Sequence, residues 1–179
     1  MGGTVFQEHG QADEAAQGAV PAGSGTGLSL GDFLPYRLNR LAARVSKALA
    51  GVYSERFALS IAQWRVLATL QAEPGLTARD VASRSALDKV AVSRAVAALA
   101  ERGLLERRPM SRDGRSSRLH LSRRGTGLFR RIAPLALEWE EQLLAPLSRS
   151  EREQFLRLLG RLEGNVPVTA PARRREGLA

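Results

Sequence analysis

Between Thr77 and Leu121 the spacing of apolar residues changes character, and that change limits the folds open to this chain more than any other feature. Up to Gly103 the apolar period is helical, and beyond it the pattern alternates. In order the stretch reads TARDVASRSA, LDKVAVSRAVAALAERG, LLERRP, MSRDGRS and SRLHLS. It predicts two short helices followed by a small basic hairpin.

The second of these helices is the more informative. Asp88 stands where an N-cap is expected, and Val92, Val96 and Leu99 recur at spacings of four and three, which gathers them on one buried stripe. The opposite face carries Val90, Ser93, Arg94 and Ala97, with Lys89 in the first turn. Such a face is poor at salt bridging and well suited to a major groove. Arginine reaches guanine O6 and N7, a hydroxyl reaches either partner, and Val or Ala touches a thymine methyl. Lys89 then lies near a phosphate or a base edge. The plainer alternative is an amphipathic helix with a small-residue solvent face.

Gly103 ends this helix, as a residue tolerant of the left-handed conformation does. Residues 104–108 and 117–121 flank a tip, 110–116, that holds Arg112, Asp113, Gly114 and Arg115. Asp-Gly is a turn dipeptide, so the flanks fold back as a hairpin. Leu119 and Leu121 alternate with Arg118 and His120, placing leucines on one face. Arginines on both sides of such a turn suit the negative potential of a minor groove. A solvated surface hairpin is the alternative. Taken together, helix pair and hairpin outline a winged helix-turn-helix.

Charge supports a polyanionic partner. The chain carries a formal net charge of +9, and from Glu101 to Arg131 ten arginines face three acids. This concentration in and after the hairpin is the footprint of phosphate contact. Lysine is nearly absent, with only Lys47 and Lys89. That skew is common to whole genomes, so arginine in place of lysine is not read as a demand for bidentate chemistry.

The run ERGLLERRPMSRDGRSSRLHLSRRG resembles the wing of the MarR family of bacterial transcription regulators. In that family Gly-Leu, an Arg, Asp-x-Arg and Leu-Thr-x-x-Gly recur at fixed spacing. Here the matching positions are Gly103, Leu104, Arg107, Asp113, Arg115, Leu121, Ser122 and Gly125, with Ser122 keeping the hydroxyl of the usual Thr. Upstream, LDKVAVSRAV is similar to the family's recognition helix. The resemblance covers roughly residues 30–164. It implies a mainly α fold with a small β-hairpin wing, a winged helix-turn-helix flanked by long dimerisation helices. The DNA contacts it implies, taken with the helix face above, are Thr77, Lys89, Val90, Ser93, Arg94, Ala97, Arg107, Arg112, Asp113 and Arg115.

The rest of the chain fits around this module. With 179 residues there is room for one domain and its tails. The expected organisation is an N-terminal tail over 1–28, a domain over 29–165 with its DNA-binding module at about 60–122, and a basic C-terminal tail over 166–179. Leu34, Leu38, Leu41, Val45, Ala48 and Val52 form a single seam and predict a helix at about 32–57, capped by Asp32, with Pro35 in its first turn. Ser60 caps a second helix containing Trp64, Leu67 and Leu70, and Thr77 caps a third. Leu128, Ile132, Leu135 and Trp139 predict a helix at about 125–146. Ser148 and Glu151 are spaced as a capping box for a last helix at about 149–164, striped by Phe155, Leu158, Leu159 and Leu162.

No apolar run approaches bilayer-spanning length, and the N-terminus has no charged region followed by an apolar one, so a cytoplasmic location is expected. Cysteine is absent, which excludes disulfides and thiolate sensing. The two histidines, His9 and His120, lie far apart, and no nucleophile has a base at an interpretable spacing. Neither an enzyme, a metal site nor a cofactor is expected.

The resemblance further implies a homodimer that presents two recognition helices to a palindromic operator on double-stranded DNA. It implies a repressor released by a small aromatic or phenolic acid, with Tyr36, Asn39, Arg40, Trp64 and Arg65 as candidate lining. An aromatic ring beside an arginine can stack a ring and pair a carboxylate. The alternative is an architectural winged-helix protein that binds nucleic acid without sequence preference.

Overall fold

The computed structural model describes residues 28–109 and 117–166. The tip at 110–116, with Arg112, Asp113 and Arg115, lies outside the described residues, as do most of the two expected tails. The chain divides into two units, Met1–Arg40 and Leu41–Ala179. In order its elements are α1 (Leu34–Phe57), α2 (Ile61–Ala72), α3 (Ala78–Ser85), α4 (Lys89–Glu101), β1 (Leu105–Pro109), β2 (Ser117–Leu121), α5 (Arg123–Leu144) and α6 (Arg149–Asn165).

Local side chains start five of the six helices. Ser60, Thr77, Asp88, Ser122 and Ser148 each accept the backbone N–H of the residue three positions on, and Ser60, Thr77 and Ser148 complete capping boxes with Gln63, Asp80 and Glu151. Asp32 does not cap α1 as expected. The residue three positions beyond it is Pro35, which has no N–H to give. Asp32 lies instead in a turn, its own N–H donating to the Ser29 carbonyl at 3.1 Å, and the helix opens with Arg37 N–H on the Phe33 carbonyl. The fifth helix starts two residues earlier than expected, because Ser122 caps it and draws Gly125 into the first turn.

The core of the second unit gathers Tyr53 and Phe57 from α1, Leu67 and Leu70 from α2, Val81 from α3, and Ile132 from α5 around the α4 stripe of Val92, Val96 and Leu99. The expected seam of α1 meets the core only through Val52. Tyr53 and Phe57 enter the core, with Leu49 and Ala50 packed against it, while Leu41 stays exposed. On the first unit, Leu34 and Leu38 are likewise exposed. In α6 no residue is buried, and Phe155, Leu156, Leu158 and Leu162 remain 45–59% exposed.

The wing is an antiparallel pair, with Leu105 opposite Leu121 and Arg107 opposite Leu119. Leu119 also bridges Leu76, its N–H donating to the Leu76 carbonyl at 2.8 Å, which ties the hairpin to the segment before α3. Between α4 and β1 the chain reverses at Gly103 (φ +65°). Gly103 N–H bonds the Ala100 carbonyl and Leu104 N–H the Leu99 carbonyl, both at 2.9 Å, and this double closure satisfies the last carbonyls of the helix.

Candidate nucleic-acid interface

A short left-handed turn aims α4. Ala86, at φ +51°, closes α3 with its N–H on the Ala82 carbonyl, and two residues later the Asp88 carboxylate accepts Ala91 N–H at 2.7 Å. With Val92, Ala95, Val96 and Leu99 buried, the face left outward holds Lys89, Val90, Ser93, Arg94 and Ala97, all exposed. Val90 is 58% exposed, an apolar group left uncovered on this surface. Among the described residues no carboxylate pairs with Lys89 or Arg94. The face keeps its hydrogen-bonding capacity for a partner.

Thr77 is half-buried, and its hydroxyl donates to the Asp80 carboxylate at 2.7 Å while its N–H donates to the same oxygen at 3.1 Å. These two bonds, the side-chain one first, hold the Asp80 carboxyl below its usual value. A group so depressed stabilises the fold at pH above its unfolded value, and that contribution is lost as pH falls through the folded value. Comparing the melting temperatures of the wild type and Asp80→Asn along an acid series checks this. The wild type is expected to lead at neutral pH, with the lead shrinking to nothing below the carboxylate range. Arg79, beside Asp80 in the first turn of α3, is exposed.

The wing arginines divide by task. Arg107 is exposed on β1. Arg118, in contrast, donates to the Gly75 carbonyl at 2.7 Å, and Gly75 itself (φ +82°) lies under the His120 ring. Likewise Arg102 donates to the Phe57 and Ala58 carbonyls at 2.9 and 2.7 Å. Two of the ten arginines counted in this stretch thus close the fold.

The expected effector residues are placed as follows. Tyr36, Asn39 and Arg40 are exposed on the first turns of α1, with the Arg40 guanidinium 6.0 Å from the Tyr36 ring centroid. Trp64 is stacked between Tyr53, at 5.2 Å, and Phe129, at 5.6 Å. Its neighbour Arg65 donates to Ser46 Oγ at 2.8 Å and to the Ser85 carbonyl at 3.4 Å. Burial pushes the Tyr53 hydroxyl above its ordinary value, and the charge of Arg65 works against that. Trp64 also lines an open apolar groove of about 570 Å³ with Val45, Leu49, Phe129, Leu137 and Trp139, and Arg65 is not part of its lining. Among the described residues no cluster of His, Asp or Glu is arranged to hold a metal ion, and no helix is long and apolar enough to cross a membrane.

A helix-turn-helix with an unpaired polar face, followed by a basic two-stranded wing, defines a winged-helix DNA-binding protein. Residues 59–116 match the sequence profile of the MarR family. The chain is 28% identical over 132 residues to the HTH-type transcriptional regulator PecS of Dickeya dadantii, covering 72% of this chain and 79% of that protein. It superposes on a MarR-family regulator from Silicibacter pomeroyi with a TM-score of 0.67 at 28% identity, covering 79% of this chain and 94% of that one. The PcaV regulator of Streptomyces coelicolor, solved in complex with its natural ligand, gives a TM-score of 0.65 at 30% identity, covering 79% of this chain and 99% of that one. The chain belongs to the MarR family of DNA-binding transcription regulators.

Proposed function

We propose that this regulator is a homodimeric, sequence-specific repressor that reads a palindromic operator in the bacterial cytoplasm and releases it when a small aromatic ligand binds. The observation that carries the reading is the exposed face of α4, where Arg94, Ser93 and Val90 stand outward from the core. In a major groove Arg94 supplies the bidentate contact to guanine and Val90 the contact to a thymine methyl. Lys89 and Arg107 meet phosphates. The wing tip, with Arg112, Asp113 and Arg115, enters the minor groove, and Thr77 stands at the backbone at the start of α3.

Two apolar faces support dimerisation. Leu34, Leu38 and Leu41 on α1, and Phe155, Leu158 and Leu162 on α6, are too exposed to be left to water. A second copy is the partner that covers both and places two recognition helices one helical turn apart. The groove beside Trp64 is apolar, has the rings of Phe129 and Trp139 in its lining as well, and suits a flat ring. A ligand that prefers a spacing of the two α4 helices unfit for successive grooves lowers operator affinity by its differential affinity for the two states.

Arg94→Ala tests the assignment. Binding measured against operator variants is expected to lose about 1–3 kcal/mol and to lose discrimination at one position per half-site. An unchanged preference would show that another face of the module reads the DNA.

A further inference from the structure

The first turn of α5 places two arginines at a helix end that favours acids. The N-terminus of a helix carries partial positive charge and favours acids. Asp80 stands in the first turn of α3 and Glu151 in that of α6, while α1, α2 and α4 carry no acid there. In α5 the first turn has no acid and begins with Arg123 and Arg124.

A cavity of about 570 Å³ opens at this helix end, lined by Arg56, Arg102, Arg124 and Arg131 with Glu55 as its one acid. Of its four guanidinium groups that of Arg102 is half-buried, and those of Arg56, Arg124 and Arg131 are exposed. Those of Arg56 and Arg131 lie 5.5 and 5.3 Å from the centroid of the Phe57 ring. Arg102 is fixed by its two bonds to the Phe57 and Ala58 carbonyls. Among the described residues no carboxylate lies within ion-pair distance of Arg56, Arg124 or Arg131. Leu104, Leu128 and Phe57 add apolar lining.

We propose that this pocket binds a small phosphorylated organic anion carrying at least two negative charges. Three guanidiniums without a carboxylate partner among the described residues call for more than one charge, and the planar guanidinium fork matches phosphate oxygens. The volume is that of a small-molecule site, and the leucines give an organic body a place to rest. The pocket shares no lining residue with the apolar groove at Trp64, so it answers to a different chemistry.

Calorimetric titration of the full chain at fixed ionic strength, with ADP and pyrophosphate as probes and adenosine as the uncharged control, tests the assignment. One ADP is expected to bind per chain, pyrophosphate more weakly, and adenosine not at all. The double variant Arg56→Gln/Arg131→Gln is expected to weaken ADP at least about tenfold. Arg124→Gln, whose side chain makes no hydrogen bond to the other described residues, is expected to weaken ADP about threefold or more without any change in melting temperature, which separates binding from folding. No ADP or pyrophosphate binding to the wild type, or binding that these variants leave unchanged, would overturn the proposal. So would variants that lose only DNA affinity, since the arginines would then be holding the phosphates of a duplex.

Discussion

Gly125→Ala lowers the melting temperature by about 10 °C, the loss expected for roughly 3 kcal/mol of overpacking. A Cβ on Gly125 would collide with the carbonyl oxygen of Leu104, a backbone atom that cannot step aside. That carbonyl is fixed because it accepts Ser122 N–H at 3.1 Å, while the Ser122 hydroxyl donates to the Gly103 carbonyl at 2.7 Å and accepts Gly125 N–H at 3.0 Å. The start of α5 therefore rests directly on the turn that leaves α4. A methyl group there pushes the long helix off the DNA-binding module. Gly127 is the control. It lies two residues further along α5, and a Cβ added there would meet nothing within 4 Å, so Gly127→Ala keeps or slightly raises the melting temperature. Thermal melts of both variants at one protein concentration decide the matter, and equal effects would mean that the close contact has no energetic weight.

The second large effect belongs to α6. Leu158→Glu/Leu162→Glu places charge on a helix face that buries nothing in the single chain, so the core around Leu99 and Ile132 is expected to keep its cooperative melt. If that face is where a second copy docks, sedimentation at micromolar concentration shows a monomer. Affinity for a two-half-site operator then falls by roughly 10²–10⁴, because the second half-site is no longer held at high effective concentration. A variant that sediments and binds as the wild type does would assign dimerisation to other surfaces.

Helix caps are the part of this fold most legible in a chain of letters, because they are local. Ser60, Thr77, Asp88 and Ser148 follow from the three-residue spacing to their donors, and Asp32 fails for the equally local reason of Pro35. Periodicity identified the buried stripe of α4 and with it the exposed face of Lys89, Val90, Ser93, Arg94 and Ala97. It did not tell that Tyr53 and Phe57, off the expected seam of α1, are the residues of that helix buried in the core. Tyr53 and Phe57 win by packing on partners far away in sequence.

Long-range partners were out of reach in the same way. Arg118 finds Gly75 and Arg102 finds Phe57 across more than forty residues, so the count of basic charges around the wing included two arginines that close the fold. Trp64 and Arg65 are adjacent letters, yet one stacks between two rings and the other bridges Ser46 and Ser85. The arginines at the start of α5 were counted as part of a basic stretch, and only folding brings Arg56 to them. The Gly125 position was visible as a motif, while its reason, the Leu104 carbonyl beneath it, is a fact of packing.

The central claim, that two α4 faces read a two-fold DNA sequence, is tested most directly by selecting duplexes from a random pool with the purified protein at low and near-physiological salt. One enriched palindrome is expected, with half-sites about one helical turn apart and two chains bound per duplex. Binding that enriches no sequence and simply fades as salt rises would contradict it, leaving a protein held to DNA by its charge alone.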